Sequence, residues 1–169
     1  NPFLENFYRN NGQDALSTQL FFLLQRAQQI QDMVQNDLFA PVRVADFLLE
    51  KDPIFAKLSL NQDEFALYQQ VYDHLTINAP VPDLVIYLQA PTSVLQHRIQ
   101  QRGIEAERYI HNDYLDRLNE SYASYFHYYD ASPLLIVNAS GIDLVNNEQD
   151  YQQLLQRIED TNNGRNYIN

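Results

Sequence analysis

Two arginines four residues apart, Arg98 and Arg102, open a run that continues through Gly103, Ile104, Glu105, Ala106 and Glu107 to Arg108. On a helix that spacing puts both guanidiniums on one face. Two forked, permanently charged groups side by side suit phosphate oxygens. The same residues also read as a solvated basic face paired with Glu105 and Glu107, an arrangement worth little energy. Further upstream, Gln19, Phe22 and Arg26 fall at i, i+3 and i+7. An amide, a ring and a guanidinium on one helix face have the hydrogen-bonding groups and stacking surface to read a nucleobase. A helix flank of mixed polarity is the plainer reading. Asp46 could orient a hydroxyl or a metal ion, or cap the next turn. Tyr122, Tyr125, Tyr128 and Tyr129 read as core and interface residues rather than ligands.

These groups need elements to position them. Asn1-Pro2 is a cap followed by proline at the first helical position, so a short helix is expected to run to Tyr8 and end at Asn10-Asn11-Gly12. Leu16, Leu20, Leu23, Ala27, Ile30 and Val34 form an apolar stripe, which predicts a long helix from Asp14 to about Gln35. Val42-Arg43-Val44-Ala45 reads as a short strand ending on Asp46, with a loop through Lys51-Asp52-Pro53. Asn61 with Glu64 is a capping box, opening a helix to about Leu75. Leu84 to Leu88 is a continuous apolar run, expected to be a strand buried on both faces. A helix is expected next from Thr92 to Arg102, stopped by Gly103. A tyrosine-rich helix spans Asn112 to about Tyr128, then a strand at Leu134–Val137 and a last helix at Gln149–Ile158. Residues 160–169 are polar and expected to fray. Strands alternating with helices mean an α/β fold with a parallel sheet, whose ligands bind outside the carboxyl ends of the strands. Asp46, Asn138 and the Arg98–Arg102 helix would then converge. Three strands are few for so many helices, and a chain opening directly on a helix signal suggests a further strand or two upstream of Asn1.

Composition narrows the chemistry. The 169 residues carry a net charge of −11, with 45% hydrophobic and 20% charged residues. That is the make-up of one globular domain. It argues against a nucleic acid polymer as partner, which would need a lysine- and arginine-rich surface. The chain has no cysteine, and its histidines are scattered without a ligand motif, so no metal-ligating set is expected. No apolar run approaches a membrane span, and a cytoplasmic protein is expected. Gly12, Gly103, Gly141 and Gly164 are the only glycines, and none belongs to a G-x-x-x-x-G-K-[ST], G-x-G-x-x-G or G-x-S-x-G motif.

The motifs, in this order, resemble those of the deoxynucleoside kinases from Asn1 to about Glu159. Tyr8 and Gln19 match the family's tyrosine eleven residues before a glutamine. Arg26, seven residues on, matches an arginine of several members and works there with an aspartate that Asp52 resembles. Ile54-Phe55-Ala56 is similar to the family run whose phenylalanine stacks on the base. Arg98, Arg102 and Glu107 fit the lid pattern R-x-x-x-R-x-R-x-x-E, and Tyr114-Leu115-x-x-Leu118 fits the family's segment after the lid. The sequence departs at Ile104, where the family has its third lid arginine, leaving Arg108 as a substitute. It departs again at Asp46-Phe47-Leu48, where the family's acidic residue is kept but its arginine is not; Lys51 is a candidate to supply that charge.

The resemblance implies a three-layer parallel-sheet kinase fold of the P-loop type, a domain over residues 1–159 with a lid at about 98–112, and a homodimer. It implies transfer of the γ-phosphoryl group of ATP, with Mg²⁺, to the 5′-hydroxyl of a deoxynucleoside, purines favoured, in nucleotide salvage. Tyr8, Gln19, Phe22, Arg26, Asp52, Phe55 and Glu107 would bind substrate. Arg98 and Arg102 would hold phosphates, and Asp46 would serve the catalytic centre. The family's P-loop and general-base carboxylate precede the position of Asn1, so these residues alone are not expected to transfer phosphate. A thymidylate-kinase-like nucleotide kinase and a non-catalytic nucleoside-binding module are the alternatives.

Overall fold

The structure is a computed structural model that describes residues 1–9, 14–35, 42–75 and 79–168. Helices α1 (Leu4–Arg9) and α2 (Ala15–Gln35) come first. A 3-10 turn, Leu49–Lys51, runs directly into α3 (Asp52–Ser59), and α4 (Gln62–His74) comes next. Strand β1 (Val85–Gln89), α5 (Thr92–Arg102), a second 3-10 turn at Glu105–Tyr109 and α6 (Asn112–Tyr128) lead to β2 (Leu134–Asn138). Helix α7 (Glu148–Asp160) and β3 (Arg165–Ile168) close the chain. Local signals set several boundaries. Asn61 accepts from the Glu64 amide while the Glu64 side chain accepts from the Asn61 amide, the reciprocal cap its sequence announces. Gly103 ends α5 at φ 68°, a left-handed turn that a side chain would strain.

The sheet is parallel in the order β1-β2-β3, with Val85 opposite Leu134 and Leu134 opposite Arg165. Parallel neighbours need a crossover. The segment from α5 to α6 supplies the first and α7 the second. Strand β2 lies in the middle, with Leu134 to Val137 all buried. The apolar stripe of α2 packs as its spacing predicts at Leu23, Ala27 and Ile30, but Val34 is exposed. Leu23, Ile30, Leu49, Ala56 and Tyr68 form one core among α2, α3 and α4. A second core joins Val85, Tyr87, Leu134 and Ile136 of the sheet to Phe126 of α6, flanked by Tyr122 and Tyr125 of the same helix and by Tyr129 just past its end. The tyrosine-rich helix therefore covers the sheet.

Four expectations need correction. Residues 42–45 form no strand: Val42 and Val44 are exposed, with no neighbouring strand among the described residues to satisfy their backbone. The loop expected through Lys51-Asp52-Pro53 is instead the start of α3, because proline sits in the first turn, where its missing N–H costs nothing. Strand β1 is not buried on both faces: Val85 and Tyr87 point into the core, while Ile86 and Leu88 are exposed. The polar tail carries β3, whose pairing to β2 satisfies the backbone that its composition left unexplained. The turn signal at Asn10-Asn11-Gly12 lies outside the described residues.

Candidate functional site

Helix α2, the Leu49–Lys51 turn, α3 and α6 meet around one ion pair. The Arg26 guanidinium contacts the Asp52 carboxylate, which is buried in the first turn of α3. Burial is the main cause that holds the Arg26 guanidinium below its ordinary range, and Tyr122, Tyr68 and Asp46 pull it back. The same guanidinium lies 5.3 Å from the centre of the Phe22 ring and 6.0 Å from that of Phe47, both within cation–π range. Gln19, one helical turn before Phe22, is buried, and its amide makes no hydrogen bond among the described residues. Phe55 meets the Tyr122 ring edge-on at 5.8 Å. The Oδ2 atom of Asp52, the Tyr68 hydroxyl and Oγ1 of Thr18 are buried without a hydrogen-bond partner. Orphaned buried polar atoms are costly unless a ligand or water completes them; the Asp52 oxygen belongs to the ion pair itself, and Tyr68 is near enough to act on Arg26.

The second group of site residues forms beside α1. Arg102 donates from Nε and Nη2 to one Glu107 oxygen, at 3.0 and 2.6 Å. Tyr8 meets the Tyr114 ring at 6.3 Å. Its phenol is pushed up mainly by burial, then by Tyr114 and Glu107, with Arg102 opposing, so Tyr8 faces the Arg102–Glu107 pair. Tyr122 links the two groups. Its phenol is raised first by burial and then by Tyr114, while Arg26 lowers it. Helix α6 thus carries one ring to each group, Tyr114 beside Tyr8 and Tyr122 beside Phe55.

Two sequence expectations change here. Arg98 and Arg102 share a helix but not a target. Arg98 donates from Nη2 to the Ala139 carbonyl at 2.6 Å, beyond the end of β2, whereas Arg102 turns to Glu107. Asp46 does not stand at a strand end, since the described residues before it form no strand; its charge acts on Arg26 and Lys51. Asn138 accepts from the Ser140 amide and hydroxyl, which shapes a turn. Sequence spacing does not place Lys51, Tyr68 and Tyr122 around the ion pair. Tyr68 and Tyr122 lie on apolar helix stripes that read as core, and no spacing rule separates a core tyrosine from one that also faces a ligand.

Comparison with known proteins settles what kind of molecule carries this arrangement. The family described as deoxynucleoside kinase matches residues 1–162. The chain belongs to the deoxynucleoside kinase family. Among its relatives, the deoxyguanosine kinase of Bacillus subtilis (strain 168) is 31% identical over 166 residues, covering 95% of this chain and 80% of that protein. The deoxyadenosine/deoxycytidine kinase of the same organism is 26% identical over 168 residues, covering 94% and 75%. A solved structure of deoxyadenosine kinase from M. mycoides, with products dCMP and a flexible dCDP bound, matches with a TM-score of 0.79 at 24% identity, covering 95% of this chain and 81% of that one. The fold is the α/β kinase fold of these enzymes, which are ATP-dependent phosphotransferases. Strand β3 begins after the last family-matched residue. Among the described residues, no helix is long and apolar enough to cross a membrane, and no three His, Cys, Asp or Glu residues gather as a metal site.

Proposed function

We propose that the protein transfers the γ-phosphoryl group of ATP to the 5′-hydroxyl of a deoxynucleoside, with purines favoured, as a cytoplasmic homodimer in nucleotide salvage. The observation that carries the substrate reading is the buried Arg26–Asp52 pair with its unsatisfied neighbours. A purine presents ring-nitrogen acceptors to a guanidinium and donors to a carboxylate. A base that fails to match leaves those buried groups unpaired, which is how such a site rejects it. Gln19 would add an amide contact to the base edge, with Phe22 beneath and Phe55 stacking against it.

Tyr8 and Glu107 would hold the sugar 3′-hydroxyl, one as phenol and the other as carboxylate. Burial keeps the Tyr8 proton on its oxygen throughout the physiological range, so it can donate. Glu107 already holds Arg102. A hydroxyl arriving at Glu107 would compete for the same oxygen and release the guanidinium toward phosphate, where charge-assisted bonds matter most as negative charge shifts. Arg98, at the carboxyl end of β2, would contribute the other phosphate contact. Among the described residues, Asp46 is a single exposed carboxylate beside two cations, so Mg²⁺ would rest mainly on nucleotide phosphates, with at most this one protein ligand. When bound, the ion would offset the charge of the phosphates. The reaction requires a phosphate-cradling loop, and no G-x-x-x-x-G-K-[ST] motif occurs in these 169 residues.

Titration calorimetry of the full-length protein with deoxyguanosine, deoxyadenosine, deoxycytidine and thymidine tests this reading. Arg26→Ala and Gln19→Ala should weaken binding unequally, with purines losing about tenfold more than thymidine after the Arg26 change. Equal losses for all four nucleosides would remove both residues from base reading.

A further inference from the structure

Lys51 ends the 3-10 turn and stands one residue before Asp52. It is half-buried. Among the described residues its ammonium has no ion pair and no hydrogen bond; its contact is the Tyr122 ring, 5.3 Å from Nζ to the centroid. Phe55 lies four residues on, one helical turn away, and touches the same ring. Arg26 and Asp46 are near enough to act on the Lys51 charge. An ammonium carries three donors and no acceptor. Holding it half out of water beside a second cation is unfavourable unless something supplies a lone pair. The ring face offsets part of that cost, and the rest points to a missing acceptor on the ligand.

Resting on the function proposed above, we infer that Lys51 is a specificity-determining substrate contact, donating to the 6-oxo oxygen of guanine while Arg26 and Asp52 hold the neighbouring edge, so that a 6-oxopurine deoxynucleoside is preferred to a 6-aminopurine one. The Arg26–Asp52 pair alone accommodates either purine, because both offer ring-nitrogen acceptors and an amino donor. A second cation breaks the tie. Guanine turns a carbonyl oxygen toward it, whereas adenine turns an N–H₂ group toward an N–H₃⁺ group. Discrimination then comes from the mismatched pair as much as from the matched one. The other acceptor within reason is the nucleoside 5′-oxygen, which is common to all substrates and would give no preference.

The test is kcat/KM and Kd of the full-length protein for deoxyguanosine and deoxyadenosine, in wild type, Lys51→Met and Lys51→Arg. Methionine keeps the apolar stem and removes the charge; arginine keeps a donor. We expect wild type to favour deoxyguanosine. Lys51→Met should lose about tenfold for deoxyguanosine and little for deoxyadenosine, and Lys51→Arg should retain part of the preference even if the methionine variant folds poorly. Equal loss for both purines, or a drop in kcat without change in Kd, assigns Lys51 to the 5′-end and overturns the inference, as does no change. A wild type that binds neither nucleoside overturns the proposed function itself, and that outcome is read before any variant is made.

Discussion

Lys51 and Arg26 set two cations against the buried Asp52 and the exposed Asp46, and such crowding has a cost. Burial, then repulsion from Arg26, holds the Lys51 ammonium below the ordinary lysine range. The groups facing it are Arg26 from α2, Asp46 from the preceding segment, Asp52 beside it in the chain and the neutral Tyr122 phenol from α6. Between the lowered folded value and the ordinary unfolded one, the unfolded chain binds more protons, so stability rises with pH across that window. The penalty is full below it. Lys51→Met removes this penalty and also removes a ring contact worth about 0.5–1 kcal/mol, which works in the opposite direction. The pH trend isolates the electrostatic part. The difference in melting temperature, Lys51→Met minus wild type, should fall as pH rises from neutral toward the lysine range. A difference that stays flat contradicts a strained Lys51 charge. Sequence spacing could not announce this. The residue types at positions 26 and 52 suggested a pair through family likeness, but the approach of Lys51 to Tyr122 depends on how α3 packs on α6.

At the scale of elements, the lid and the tail make separate predictions. Arg102 is held by Glu107 on the turn that links α5 to α6. Arg102→Ala should therefore lower kcat much more than it weakens nucleoside binding, measured by steady-state kinetics beside calorimetry. An unchanged kcat would exclude Arg102 from phosphate contact. Strand β3 is anchored differently. Arg165 donates from Nη2 to the carbonyls of Phe126, His127 and Tyr129, at 3.0, 2.8 and 3.3 Å. These are carbonyls that the end of α6 leaves open, and a cation there also suits the helix dipole. Arg165→Ala should speed amide exchange in β3 and the last turn of α6, at a cost on the order of 1 kcal/mol, with nucleoside affinity kept. The helices were legible because periodicity, the Asn61–Glu64 box and Gly103 all point the same way. Strand β3 was not, because Arg165-Asn166-Tyr167-Ile168 is a polar edge strand whose stability comes from β2 and a distant helix end. The run at 42–45 failed in the opposite sense: its apolar residues suit a strand, but pairing needs a neighbour.

For the whole molecule, two cores meet along α6, and the candidate site lies at their junction. Tyr122 packs against the sheet core while its ring meets Lys51 and Phe55, so site geometry and sheet packing share a residue. Fold class and family could be read from spacing and motif order, and the candidate site residues could be named from them as expectations. What could not be read was how they divide: Arg98 toward the strand ends, Arg102 toward Glu107, and Arg26 toward Asp52. The central claim is that the buried ion pair and the lid pair serve one nucleoside. The most direct measurement is a crystal structure of the full-length protein with deoxyguanosine bound. The account predicts a base edge against Arg26, Asp52 and Gln19, and a 3′-hydroxyl within hydrogen-bond reach of Tyr8 and Glu107. A nucleoside that touches one of these groups while the other remains closed on itself, or that binds elsewhere, would contradict it.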